Sequence, residues 1–171
     1  VNAVTFYTRC QGEETSFEYN FYDNGFSPSN LAVRKVLMAM LESVRPRLTH
    51  LEVEYNDGML ADKLGARRAG DLLRFLGASK ANMRETYSGD VVVSRVFRAP
   101  LTPERYDYFH TLPDVSQLSH YRLQEQEKDR IVFYFTRYLQ LIAPQREAER
   151  FAARLEAYGL PYRWVPIDGE D

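Results

Sequence analysis

Cysteine is almost missing from this chain. Cys10 stands alone among 171 residues, which excludes an intrachain disulfide and any multi-cysteine zinc site. A thiol count this low fits a reducing compartment, so the expected location is cytoplasmic. Long apolar runs are missing too. None approaches the roughly 20 residues that a membrane-spanning helix needs, and Val1-Asn2-Ala3-Val4 shows neither the basic flank nor the apolar core of a signal peptide. The expectation is therefore no membrane partner.

An excess of charge of one sign is the third absence. Lysine and arginine total 22 against 24 acidic residues, a net charge of −2. A domain held on phosphates is usually clearly basic, so this balance argues against a nucleic-acid partner. Lysine itself is scarce, 4 residues against 18 arginines. That ratio fits a GC-rich coding sequence, and it also supplies guanidinium groups suited to bidentate contacts. The sequence carries no GxSxG, HExxH, GxGxxG or CxxC motif. Nothing in it calls for a cofactor, and an enzyme is the less favoured class.

What the chain does have is aromatic residues, with 12 tyrosines and 10 phenylalanines. Many alternate with polar residues at the period of a strand. Val4, Phe6 and Thr8 share one side of a first strand, and Phe17, Tyr19 and Phe21 share one face of its return strand. Ser27-Pro28 reads as a helix start. The stripe Val33, Val36, Leu37, Met40, Leu41 and Val44 follows at helical spacing and ends at Pro46. A third strand, His50 to Asn56, alternates cleanly.

A similar order of elements returns near the C-terminus. Strands are expected around Tyr121–Gln126 and Ile131–Tyr138, then a helix from Pro144 to Tyr158 and a strand at Tyr162–Ile167. The strand Ile131–Tyr138 is apolar on both faces and should be central in its sheet. Between the two segments lie two short helices with a basic connector, Ala66-Arg67-Arg68-Ala69 bracketed by Gly65 and Gly70, a hairpin turning at Ser88-Gly89, and a helix opened by Thr102-Pro103. The expected fold class is α+β, with two pseudo-repeated ββαβ units (3–58 and 118–168) joined by a helical and strand segment (59–117). Together they form one domain, 1–171. The sheet should be mostly antiparallel with helices packed on one face.

Three constellations bear on function. His50, Glu52 and Glu54 point the same way along one strand, about 6.5–7 Å apart in succession. That set could serve a metal-assisted or acid–base hydrolase, although a solvated strand face explains it equally simply. The basic group Lys63, Arg67, Arg68, Arg74, Lys80 and Arg84 could contact RNA or an acidic protein surface, or could simply be a solvated helix face. The tyrosines of the outward set, Tyr7, Tyr22, Tyr106 and Tyr134, exceed what a soluble surface needs. Tyrosine and arginine are enriched where proteins bind one another. The leading expectation is a small module that occupies another protein, as an inhibitor or immunity-type protein does, through Tyr7, Tyr22, Tyr106, Tyr134, Arg67 and Arg68. The hydrolase and the RNA-binding domain are the alternatives, and a homodimer stays open.

Overall fold

Alternation along the strands builds a single sheet with one apolar face. The computed structural model describes residues 3–167. Residues 1, 2 and 168–171 lie outside it, and with them the last position of the expected second unit. The chain runs β1 (Val4–Gln11), β2 (Glu14–Asn20), a one-turn α1 (Phe21–Asn24), α2 (Leu31–Val44), β3 (His50–Tyr55), α3 (Asp57–Leu64) and α4 (Ala66–Phe75). It continues through β4 (Met83–Ser88), β5 (Val91–Pro100), α5 (Pro103–His110), β6 (His120–Glu125), β7 (Lys128–Tyr134), β8 (Tyr138–Pro144), α6 (Gln145–Ala157) and β9 (Tyr162–Pro166).

Among the described residues, nine strands form one sheet in the order β4-β5-β3-β6-β7-β8-β2-β1-β9. Its pairings are antiparallel apart from β1 with β9. Strand β7 is at the centre of that order, as its two-sided apolar character requires. The buried face carries Phe6, Phe17, Tyr19, Leu51, Val53, Phe97, Tyr121, Leu123, Phe133, Leu139 and Leu141. Helices α2 and α6 lie against it, and the whole α2 stripe predicted from spacing is buried. Each fully buried leucine or phenylalanine stabilises this layer by about 1.5–3 kcal/mol.

Two local readings need correction. Helix α2 starts at Leu31, and Asn30 caps it through Oδ1, which accepts from the Ala32 N–H at 2.9 Å. Ser27 to Asn30 form a turn instead, with the Asn30 N–H on the Ser27 carbonyl at 3.0 Å. The polar Asn side chain offers the same capping chemistry three residues later. The return strand stops at Asn20, and Phe21, expected on its face, opens a one-turn helix closed by Gly25 at φ 73°.

The larger correction concerns the second unit. Where one strand was expected over 131–138, the chain makes a hairpin, so β6, β7 and β8 form a three-stranded meander before α6. The third strands also differ in place. β3 lies inside the sheet, antiparallel to β5 and β6, whereas β9 forms an edge parallel to β1. The structure therefore supports the α+β class and the helix-covered sheet, and it does not reproduce a repeated ββαβ unit.

Candidate binding face

Among the described residues, the second face of the sheet contributes the buried Val132 but none of the main hydrophobic cluster. Cross-strand register fixes which residues share it, because directly opposed residues in an antiparallel pair point the same way. One row runs from Arg84 through Val96, Glu54, His120, Tyr134 and Tyr138 to Asn20. The next runs from Arg98 through Glu52, Arg122, Val132, Gln140 and Glu18 to Tyr7.

The β3–β6 side of this face is a lattice of paired charges. Glu52 Oε1 accepts from Arg84 Nη2 at 3.3 Å, and its Oε2 accepts from Arg122 Nη1 at 3.4 Å. Arg98 donates to Gln124 at 2.8 Å, and Gln124 donates onward to Asp129 at 3.0 Å. Glu54 accepts from Ser94 Oγ at 3.1 Å, with His120 Nδ1 at 3.6 Å from its other oxygen. His50 is tied to Thr49 Oγ1 at 2.8 Å. Burial lowers the His50 pKa, and the Arg98 charge adds to the effect. So the three residues share a face as spacing required, but each is engaged with its own neighbours. Among the described residues, no group of three or more His, Cys, Asp or Glu side chains is placed to hold a metal ion.

The other end of the face is aromatic. Tyr134 and Tyr138 stack with centroids 5.5 Å apart and planes 25° apart, while His120 meets Tyr134 edge-on at 5.0 Å. Phe135 lies 4.9 Å from Tyr134 and 5.8 Å from His120, and it is 40% exposed. The Arg137 guanidinium sits over the Tyr134 ring at 5.9 Å. His120 itself is buried. Desolvation lowers its pKa and the Arg122 charge lowers it further, against the opposing pull of Glu54, Glu52 and Asp129.

This cluster is built on a strained turn. Phe135 at φ 46° and Thr136 at φ 54° both occupy the left-handed region, and the Arg137 N–H donates to the Tyr134 carbonyl at 2.9 Å. The connection is three residues long, 135–137, and a β-turn with positive φ at both central residues normally recruits Asn-Gly or Asp-Gly. Each L-residue held there costs about 1–2 kcal/mol, and a β-branched threonine is a true outlier.

Two further outward tyrosines join the same end. Helix α1 follows β2 directly, and its Phe21 N–H donates to the Arg137 carbonyl at 3.0 Å. That contact holds Tyr22, 93% exposed, at the end of the sheet beside the β7–β8 turn. Asp23, from the same helix, accepts from the Tyr7 hydroxyl at 2.6 Å. The hydrogen bond to Asp23 is the main cause that raises the Tyr7 pKa.

The remaining candidates lie elsewhere. Tyr106 is not outward: it is 4% exposed, stacked on His110 at 5.6 Å with the Arg45 guanidinium 4.3 Å over its ring. With Phe109 it forms the inward side of α5, and a three-residue spacing in a single short helix left its direction open. Arg67 and Arg68 lie not in a connector but in the first turn of α4, which runs through Gly70 to Phe75, and they are exposed in the helical layer across the sheet from the tyrosines. Cys10 is exposed beside the β1–β2 turn, 3.8 Å from Thr15 Oγ1.

Phe135, Arg137, Tyr138 and His120 are not among the binding residues expected from the sequence. The signal that could have found them is Phe135-Thr136 lying midway along a stretch too long for one strand. Among the described residues, no helix is long and apolar enough to cross a membrane. No protein-family model, curated protein or solved structure matches the chain.

Proposed function

We propose that this protein is a binding module that holds another protein against the open face of its sheet, anchored at the aromatic end. The observation that carries the reading is the β7–β8 turn. Phe135 and Thr136 are kept in the left-handed region where ordinary turn residues would relieve the strain, and backbone strain of this kind concentrates at functional sites. Its effect is to present Phe135 beside Tyr134, Tyr138 and Arg137, the residue types that dominate protein–protein hot spots. The paired charges around Glu52 and Arg122 would then form a polar rim, setting orientation more than affinity. An inhibitor or immunity-type role is the form of this reading that asks no chemistry of the chain itself.

Affinity capture from an extract of the source organism tests it. The wild type is compared with Tyr134→Ala/Tyr138→Ala and with Glu149→Ala on the exposed side of α6. A protein retained by the wild type and by Glu149→Ala but lost by the tyrosine variant supports the reading. Equal retention by all three contradicts it.

A further inference from the structure

Among the described residues, no strand pairs with the outer side of β4, which forms one end of the sheet. The strand reads Met83-Arg84-Glu85-Thr86-Tyr87-Ser88, and everything after Met83 is exposed. It contains no proline or lysine, so its guards against pairing are the charges of Arg84 and Glu85 and the irregularity of the β4–β5 ladder between Thr86 and Tyr87. Tyr87 is 56% and Val91, across the turn, 65% exposed. Beneath Met83 and Glu85 lies a groove of about 570 Å³ lined also by Tyr55, Ala78, Ser79 and Lys80.

We infer that two copies of this chain join through β4, antiparallel, with Thr86 of each on the two-fold axis. Symmetry restricts the choices. An axis relating antiparallel neighbours must be normal to the sheet, so helical sides stay together and opposed residues come from the same face. Two such registers pair a full run of β4 residues. One sets Glu85 against Glu85 of the second copy, a like-charge contact that destabilises a strand pair. The other sets Thr86 against Thr86, Glu85 against Tyr87 and Arg84 against Ser88. It opposes no like charges, and threonine pairs are favourable across strands.

The same register gives Tyr87 a seat. Met83, Glu85 and Tyr87 alternate onto the helical side, where the Tyr87 hydroxyl donates to Glu85 at 2.5 Å within one copy. In the pair each Tyr87 ring lies beside the Glu85 of the other copy, at the mouth of the groove. Its hydroxyl then exchanges one carboxylate for the equivalent one across the axis. The result is one continuous sheet whose binding faces open to the same side.

Cysteine cross-linking tests both the pairing and the register. In a Cys10→Ser background, Thr86→Cys and Glu85→Cys are each oxidised, and sedimentation equilibrium is run on the unsubstituted chain. A concentration-dependent dimer with rapid disulfide linkage in Thr86→Cys and little in Glu85→Cys supports the inference. Thr86→Lys should then weaken dimerisation several-fold while leaving the thermal unfolding midpoint in place. Preferential linkage through Glu85→Cys overturns the register. A chain that stays monomeric at high concentration, or a dimer in which neither variant links, overturns the pairing.

Discussion

The backbone N–H of Phe135 donates to the carbonyl of Ser119 at 2.7 Å, so the residue with φ 46° is held from outside its own hairpin. Ser119 immediately precedes β6. The neighbouring strand therefore helps to fix the turn that presents the Phe135 ring, and the strain is shared with the surrounding structure.

Relieving that strain should stabilise the fold. Thr136 is exposed with φ 54°, and glycine accepts that conformation without a Cβ penalty. Thr136→Gly should raise unfolding free energy by about 1 kcal/mol, read as a higher urea midpoint at unchanged m-value.

Arg130 should be the least replaceable charged residue. Its side chain is 4% exposed and pairs with Glu14 at 2.5 Å and Glu125 at 2.9 Å, while also donating to the Ile142 carbonyl at 3.2 Å. It occupies the irregularity in the β6–β7 ladder, where Gln124 opposes Asp129 and Leu123 opposes Ile131. Lys128 still pairs with Glu14 and Arg47 with Glu125, so Arg130→Ala should cost about 1–3 kcal/mol by chemical denaturation, the cost of leaving buried acceptors short of a donor.

Acid should loosen the helical layer through Glu42. Burial pushes the Glu42 carboxyl up, but hydrogen bonds from Tyr158 and His110, with the charge of Arg154, outweigh it and leave the pKa below 4.5. His110 Nε2 lies 2.8 Å and Arg154 Nη2 2.5 Å from this carboxylate. A depressed folded pKa means that the contribution is complete above the unfolded value and is lost as pH falls through the folded one. Glu42→Gln should lower stability at pH 7 by about 1–3 kcal/mol and flatten the acid limb of the stability profile. An unchanged profile would show that the cluster contributes nothing.

The histidines provide a check on the open face. His120 and His50 are both held below the ordinary 6.5, chiefly by burial. Proton-detected NMR titration should give both rings midpoints under that value. The sign follows from linkage: the unfolded chain takes up these protons first, so each histidine contributes a stability loss as pH falls below about 6.5. A His120 midpoint at or above 6.5 would contradict the placement of its ring under Tyr134 and Phe135.

Much of the fold was legible because alternation and helical spacing report which side of an element is buried. The α2 stripe, the alternation of β3 and the centrality of β7 followed from such patterns. Strand order did not, because alternation names a face and not a neighbour. Nothing local told β3 to pair with β5 and β6, or β9 to lie parallel to β1. The missed hairpin has a different cause. Phe and Thr are strand formers, so Phe135-Thr136 reads as strand continuation in the place where the chain reverses.

The candidate site was legible in part for the same reasons. Tyr7, Tyr22 and Tyr134 were identified as outward by their positions in strands and turns, and α1 and the sheet register bring them to one end of the molecule. Tyr106 was misjudged, since one short helix offers too few turns to show which side is inward. Phe135 and Tyr138 were hidden by the missed hairpin itself. Local rules failed where this turn departs from ordinary turn chemistry, which fits a functional origin for the departure.

The most direct test separates binding from folding at one residue. The captured partner, purified, is titrated calorimetrically into the wild type and into Phe135→Asn, since asparagine accepts the left-handed conformation that phenylalanine resists. If Phe135 is the anchor of a protein-binding face, the variant should bind at least about tenfold more weakly, ~1.4 kcal/mol, while unfolding at no lower denaturant concentration. Unchanged affinity in a normally folded Phe135→Asn protein would contradict the account.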